Sequence, residues 1–308
     1  MKILLENCSE KREEWLRLRK EGIGSSEIAA VCGMSKYRTA LEVWAEMTGK
    51  IPGFEGNDYT WLGSEMEPVI GKLFERRQGV SLIKPDYLAA HDEHGWAIAT
   101  PDFLTESEDR KIVETKNAGA RQGRFWEDGK APVHYQIQLQ WQLGICGVPE
   151  GYLAGLIGGS PDDFYAVPYE FDKELFNVLL EEGEIFMELV RRDVPPLAGV
   201  GDSKLIAQLQ GTRVEQIEML FTDVEPFVDM WQDLAAKVSD LNKQLKLLND
   251  ERDKIKGRIL QAIGNKTMGQ LPDGRLISAK TITKNQFVTP AHSYVDFRIK
   301  NAPKEKGK

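Results

Sequence analysis

Asp102 follows Pro101, and a little further along the chain Glu114 and Lys116 alternate in the segment Val113-Glu114-Thr115-Lys116. Successive side chains of an extended strand point to opposite faces, so Glu114 and Lys116 share one. If the strands on either side of the polar stretch 106–110 pair as a hairpin, Asp102 approaches Glu114 and two carboxylates meet one amine. Two hard oxygen ligands suit a cation such as Mg²⁺, with waters and a phosphate oxygen completing an octahedron. A metal held this way acidifies a bound water and stabilises charge growing on phosphate oxygens. The lysine would orient that water or accept its proton. The chemistry on offer is metal-assisted phosphodiester hydrolysis. Neither fragment compels it, because Asp after Pro is a common turn residue and Glu-x-Lys alternation is common on solvated strands.

The elements around these residues follow from periodicity. Residues 13–19 form a short helix with Gly22 as its stop, and Ser25 or Ser26 caps a second helix over Ile28-Ala29-Ala30-Val31. A serine there presents a hydroxyl and free N–H groups to an anion. Residues 37–47 and 64–78 are further helices, the latter closed by Gly79; Ser64-x-x-Glu67 has the spacing of a capping box. From Trp96 the period falls toward two, which predicts strands over 96–100 and 111–116. A basic, glycine-bearing loop with Arg121, Arg124 and Lys130 leads to a helix over 133–143 that carries Gln136, Gln138, Gln140 and Gln142. Strands at 152–157 and 164–167 and a long helix over 172–192 complete an α/β pattern: a central mixed sheet flanked by helices.

Pro195-Pro196 and the glycines after it mark a boundary, giving a first domain over 1–197 and an extension over 198–308. In the extension, Phe227, Trp231, Leu234, Val238, Leu241, Leu245, Leu248, Ile255, Ile259 and Ala262 fall at alternating intervals of four and three, interrupted by Arg252. This heptad stripe predicts one helix over about 223–263, serving either its own domain or an intermolecular coiled coil. Leu271-Pro272-Asp273-Gly274-Arg275 places a turn in a hairpin over about 266–288, and the lysine-rich end is expected to be loose.

Composition narrows the classes. A chain of 308 residues, 41% hydrophobic, is long enough for a large core and an appendage. A net charge of −8 runs against nucleic-acid binding, although an acidic total can hide a basic channel. Three scattered cysteines, Cys8, Cys32 and Cys146, fit neither a disulfide framework nor a zinc motif. No apolar run reaches membrane-spanning length and no secretion signal opens the sequence, so a cytoplasmic location is expected. There is no Gly-x-x-x-x-Gly-Lys-Ser/Thr loop for ATP, and His91 and His94 sit in a polar turn rather than a ligand cluster.

Taken in order, the blocks resemble the PD-(D/E)xK nuclease superfamily, in particular the lambda exonuclease and YqaJ-type viral recombinase family. The opening block is Trp15, Arg19 and Gly22-Ile23-Gly24-Ser25-Ser26-Glu27; the second is Leu62-Gly63-Ser64-Glu65-Met66-Glu67-Pro68. Thr100-Pro101-Asp102 with Glu114-Thr115-Lys116 forms the centre, and His134-Tyr135-Gln136-Ile137-Gln138 the last. The resemblance implies a restriction-endonuclease-like core with catalytic Asp102, Glu114, Lys116, Glu67 and Gln136. It further implies metal ligands at Asp102, Glu114, Thr115 and Glu67, and Mg²⁺ as cofactor, with Mn²⁺ as a substitute. Arg19 and Ser26 match residues that hold a 5′-phosphate, and Thr100, Gln138, Arg121 and Arg124 are expected to contact substrate. The implied activity is 5′-to-3′ digestion of one strand of linear duplex DNA, leaving a 3′ overhang for a single-strand annealing protein in phage-type recombination. A homo-oligomeric ring, of the trimeric kind that members of the family can form, and a phage or prophage origin in a bacterial cytoplasm go with it. Two alternatives remain at this point: a structure-specific or restriction-like endonuclease of the same fold, and a non-catalytic DNA-end scaffold.

Overall fold

The computed structural model describes residues 1–126, 129–210, 225–284 and 292–300, and divides the chain into two compact units, Met1–Arg213 and Val214–Lys308. In the first unit, strands β1 (Lys2–Glu6), β3 (Tyr87–Ala90) and β4 (Ile98–Ala99) form a small antiparallel sheet in the order β1-β3-β4. A five-stranded mixed sheet has the order β2-β5-β6-β7-β8, from β2 (Leu82–Ile83), β5 (Phe103–Thr105), β6 (Ile112–Ala118), β7 (Glu150–Ile157) and β8 (Phe164–Glu170). Only β6 and β7 run parallel, and parallel neighbours need a crossover. A 3-10 turn over Ala120–Phe125 and helix α5 (Val133–Cys146) provide it.

Strand β6 alternates between two cores. Ile112 packs with Leu139, Leu143 and Trp126 on the α5 side, while Val113 packs with Ile70 and Phe74 of helix α4 (Asp58–Gln78) on the other. The period-two rule then sends Glu114 and Lys116 toward α5. Gly155 of β7 lets the Trp126 ring lie against the sheet, since a Cβ there would stand 2.7 Å from that ring. Outside α5, helices α2 (Ile28–Val31), α3 (Ala40–Met47) and α6 (Lys173–Arg191) share a core built on Trp44, Ile137, Trp141, Phe176 and Phe186. Helix α1 (Arg12–Arg19) precedes them and packs Trp15 and Leu18 beside β1 and β3.

Three expectations are corrected. The strand expected over 96–100 does not pair with β6: β4 belongs to the small sheet, and β5 is the strand that pairs with β6. Pro101-Asp102 is the crossing from one sheet to the next. Helix α4 begins at Asp58, not Ser64, because Asn57 accepts the N–H groups of Tyr59 and Thr60 in a full capping box; Ser64 is mid-helix and caps nothing. Nor does the first unit stop at the double proline. Helix α7 (Ser203–Gln210) lays Leu205, Ile206 and Leu209 on the α2/α3/α5/α6 core, and buried Asp202 accepts the Thr39 hydroxyl at 2.7 Å and the Gly199 N–H at 2.6 Å.

The second unit contains helix α8 (Glu225–Ile263) and an antiparallel sheet in the order β11-β10-β9, from β9 (Met268–Gln270), β10 (Leu276–Lys284) and β11 (His292–Lys300). The hairpin turn at Leu271–Arg275 is present, and β11 adds a strand the sequence reading lacked. The lysine-rich end, expected to be loose, lies outside the described residues. Among the described residues no helix is long and apolar enough to cross a membrane.

Candidate active site

Glu114 is 2% exposed, and every polar contact it makes is charged or aimed. The Lys116 ammonium donates to Glu114 Oε1 at 2.6 Å, Gln138 Nε2 donates to the same oxygen, and Gln142 Nε2 donates to Oε2 at 2.8 Å. Gln138 and Gln142 are one helical turn apart and face the same way, so α5 grips the carboxylate with two amides. A buried carboxylate needs such partners, because an unpaired one is costly to desolvate. Across from it, Thr115 donates both its N–H and its hydroxyl to Asp102 Oδ2, each at 2.8 Å. This pairing brings Asp102 from the sheet crossing onto β6.

The electrostatics show how close these groups are. Burial, then the charge of Glu114, raises the Asp102 carboxyl to about 8; Lys116 opposes the shift and Glu67 adds to it. Burial works to lower the Lys116 ammonium, but Glu114 and Asp102 overcome it and hold it above its ordinary value. Lys116 is therefore a fixed cation. Glu114 takes the ammonium's hydrogen bond, and the charges of Asp102 and Glu67 act on it too, a surplus of negative charge on hard oxygen donors. Among the described residues no three Asp, Glu, His or Cys side chains are arranged to hold a metal by themselves. This donor set suits Mg²⁺, which binds through one or two carboxylates and fills the rest of its octahedron with water and phosphate. Asp102 and Glu114 would hold such an ion. Glu67 of α4 acts on Asp102 and Lys116 through its charge and lies 3.3 Å from Lys84 Nζ, and with Ser64 mid-helix its capping-box reading falls away. Thr115 supplies donors to Asp102 rather than a free ligand atom from its side chain.

A second polar cluster forms at the α1–α2 junction. Ile23 donates to the Trp96 carbonyl at 2.7 Å and accepts from Ile98 at 3.1 Å, which ties the Gly22–Glu27 segment to β4. A Cβ on Gly22 would sit 2.4 Å from the Trp96 carbonyl oxygen, so that junction requires glycine. Arg19 lies 4.9 Å from the Trp15 ring centre and donates to Ser26 Oγ at 3.1 Å and Glu27 Oε1 at 2.9 Å. Ser26 in turn donates to Glu27, so it is not the cap of α2. Burial alone would raise the Glu27 carboxyl; Arg19, the Ser26 hydroxyl and Arg38 overcome it and hold it below its ordinary range.

Gln136 stands apart from the cluster. It donates to the Ala131 carbonyl instead of joining Glu114, because it lies two residues before Gln138 and so on another side of α5. Gln138, expected to touch substrate, holds Glu114, and Gln142 was not singled out from the sequence although its spacing from Gln138 was readable. Thr100 is partly buried beside the sheet crossing, and Arg121 and Arg124 are exposed on the 3-10 turn. His91 Nδ1 accepts the N–H groups of Glu93 and His94, the polar turn expected there.

The chain is similar to known proteins in both sequence and fold. Residues 14–149, which hold both clusters, match the model of the YqaJ-like viral recombinase domain. The protein YqaJ of Bacillus subtilis is 33% identical over 183 residues, a match covering 58% of this chain and 56% of that relative's length. Among solved structures, the alkaline exonuclease LHK-Exo of Laribacter hongkongensis superposes with a TM-score of 0.50 at 21% identity, covering 59% of this chain and 93% of its own; its complex with dAMP gives the same values. At that identity the superposition speaks for the fold, and its frame is the restriction-endonuclease-like core. Over 14–149, then, this chain is similar to the YqaJ-like viral recombinase domain.

Proposed function

We propose that this protein is a Mg²⁺-dependent exonuclease, with Mn²⁺ as a substitute, that digests one strand of linear duplex DNA from its 5′ end. The carrying observation is the buried Glu114, clamped by Lys116, Gln138 and Gln142 beside an Asp102 whose carboxyl is pushed up by burial and by Glu114. Carboxylates crowded until one holds a proton are poised to exchange that proton for a divalent cation. Such an ion, when bound, acidifies water and stabilises charge on the phosphate. Lys116 keeps its proton next to Glu114, so its role is to orient the attacking water and stabilise the phosphate oxygens. Arg19, stacked on Trp15 and next to Ser26, supplies donors for a terminal 5′-phosphate. The exonuclease named among the superposable structures and the viral recombinase family support this reading.

In this reading the 3′ overhang passes to a single-strand annealing protein, and several copies of the chain surround the duplex, gathering the basic loops of an acidic protein onto one channel. The test is an end-labelled, 5′-phosphorylated linear duplex beside closed circular duplex, each with Mg²⁺. Nucleotides should be released from the linear DNA only. Cutting of closed circles would make the chain an endonuclease of this fold, and intact DNA in both arms would overturn the nuclease reading.

A further inference from the structure

From the Lys116 ammonium a line of rings runs outward to the surface. The Tyr135 ring lies 5.0 Å from Lys116 Nζ, the His134 ring lies 4.1 Å from Tyr135, and Tyr37 meets His134 edge-on at 5.4 Å. Beyond Tyr37 come cations and a further ring. Lys36 Nζ is 4.9 Å from the Tyr37 ring and 5.6 Å from the Phe125 ring, and the Arg124 guanidinium is 4.8 Å from Phe125. Lys36 also donates to Gln122 Oε1 at 2.7 Å, which joins the α2–α3 loop to the 3-10 turn of the crossover.

The outer rings are not core. Tyr37 is 59% exposed and Phe125 46%, while Trp126, next in sequence, is wholly buried. Within the line itself His134 Nε2 is buried without a hydrogen-bond partner. Exposed rings flanked by Lys and Arg, on a chain whose net charge is −8, are matched in charge to an anionic partner with flat apolar faces. Unpaired deoxynucleotides combine those properties. In a duplex the base faces are already stacked, and only an unpaired strand can offer them to Tyr37 and Phe125.

We propose that Tyr37 and Phe125, with Lys36 and Arg124 at their rings, form a stacking platform for unpaired bases of the strand being cut. The strand is assigned by continuity, since the line of rings ends on Lys116, the partner of Glu114. The proposal rests on the nuclease reading for its choice of strand and adds to it a nucleobase-binding surface outside the carboxylate cluster.

The test uses the full chain in EDTA and reads binding by fluorescence anisotropy. Its probes are a labelled single-stranded oligonucleotide, a blunt duplex, and a duplex frayed at one 5′ end. Tyr37→Leu and Phe125→Leu should each weaken single-strand binding about tenfold, the size of one lost base–ring stack, and leave the blunt duplex within about twofold by the same reasoning. Tyr37→Phe and Phe125→Tyr keep the rings and should bind like the unaltered chain. Abasic nucleotides in the frayed 5′ strand should weaken binding by the unaltered protein to a similar degree, and abasic nucleotides in the complement should not. That arm decides the matter even where a leucine variant does not fold. Unchanged single-strand binding in the leucine variants, equal losses on duplex, or sensitivity to the complement alone would overturn the platform. Because hydrolysis is not read, intact DNA in the Mg²⁺ assay defeats the nuclease proposal separately.

Discussion

Helices α5 and α8 invert each other. Helix α5 has 14 residues and buries seven of them, including the amides Gln140 and Gln142. Helix α8 has 39, and none of its described residues is buried. Its stripe from Phe227 to Ile255 stays open, with Phe227 and Trp231 each 70% exposed. A buried amide is tolerated where a partner awaits its N–H, and Gln142 finds Glu114 while Gln140 finds the Glu170 carbonyl. An apolar stripe of even spacing marks a face and says nothing of its cover. The difference separates a helix whose neighbours are fixed within its own unit from one whose apolar face is left open.

The comparison is tested most severely at the site α5 supports. Glu114→Gln keeps the shape and removes the charge, and Lys116→Ala removes the lone ammonium. Each should lower nucleotide release at least about 10³-fold, the scale of losing a fixed electrostatic group from an active site. Initial rates on linear duplex measure it, and near-native rates in either variant would remove Glu114 or Lys116 from the chemistry. Next in size is stability. Leu139 is fully buried on α5 and Leu241 is 62% exposed on α8, so the same substitution gives different answers. Leu139→Ala should cost about 2–5 kcal/mol in urea unfolding, and Leu241→Ala should stay within about 0.5 kcal/mol. A Leu241 cost rivalling that of Leu139 would show the α8 stripe to be covered in solution.

Local periodicity carried much of this into the sequence. Glu114 and Lys116 on one face, the α5 helix, strands β7 and β8, helix α6 and the α8 stripe each depend on neighbours a few residues away. What escaped depends on distant partners. The β5–β6 hairpin sets Asp102 opposite Glu114 as the pattern implied, but the strand before it, β4, belongs to another sheet, which no hairpin rule foresees. The start of α4 hides because Tyr59, Trp61 and Leu62 of its first turns are exposed and give no apolar face to follow; only Asn57 and Thr60 mark it. Strand β1 is decided by its pairing with β3, and the boundary was misplaced because α7's three apolar contacts outweigh a double proline. On α5 the row of alternating glutamines looked uniform, yet helical geometry divides it into Gln138 and Gln142 at Glu114, Gln140 at the Glu170 carbonyl, and Gln136 at Ala131.

Gln142 sharpens the contrast from α5's side. It donates to Glu114 Oε2, and under the proposed function it acts through that carboxylate as a positioning residue. Gln142→Leu should weaken Mg²⁺ about 10- to 100-fold, as losses of supporting partners around metal ligands do. The rate at saturating Mg²⁺ should change less than the Mg²⁺ concentration needed for half of it. Gln142→Glu puts a second carboxylate against Glu114 and should not restore the affinity. A loss confined to the saturating rate would mean that Gln142 does more than hold its neighbour.

The smallest expected effect lies where α5 meets solvent. Burial, with the charges of Lys36 and Lys116, lowers His134 to about 4, against roughly 6.5 for an unfolded histidine. The native state therefore binds this proton less readily than the unfolded chain does. Its contribution to stability is complete above the unfolded value and is lost as pH falls from there toward about 4. Urea midpoints in EDTA at pH 7.5, 6 and 5 should fall further for the unaltered chain than for His134→Phe, which cannot take the proton. Carboxylates elsewhere titrate in both proteins, so only the difference between the two curves reports on His134. Parallel curves would mean that the start of α5 is as open to water as the length of α8.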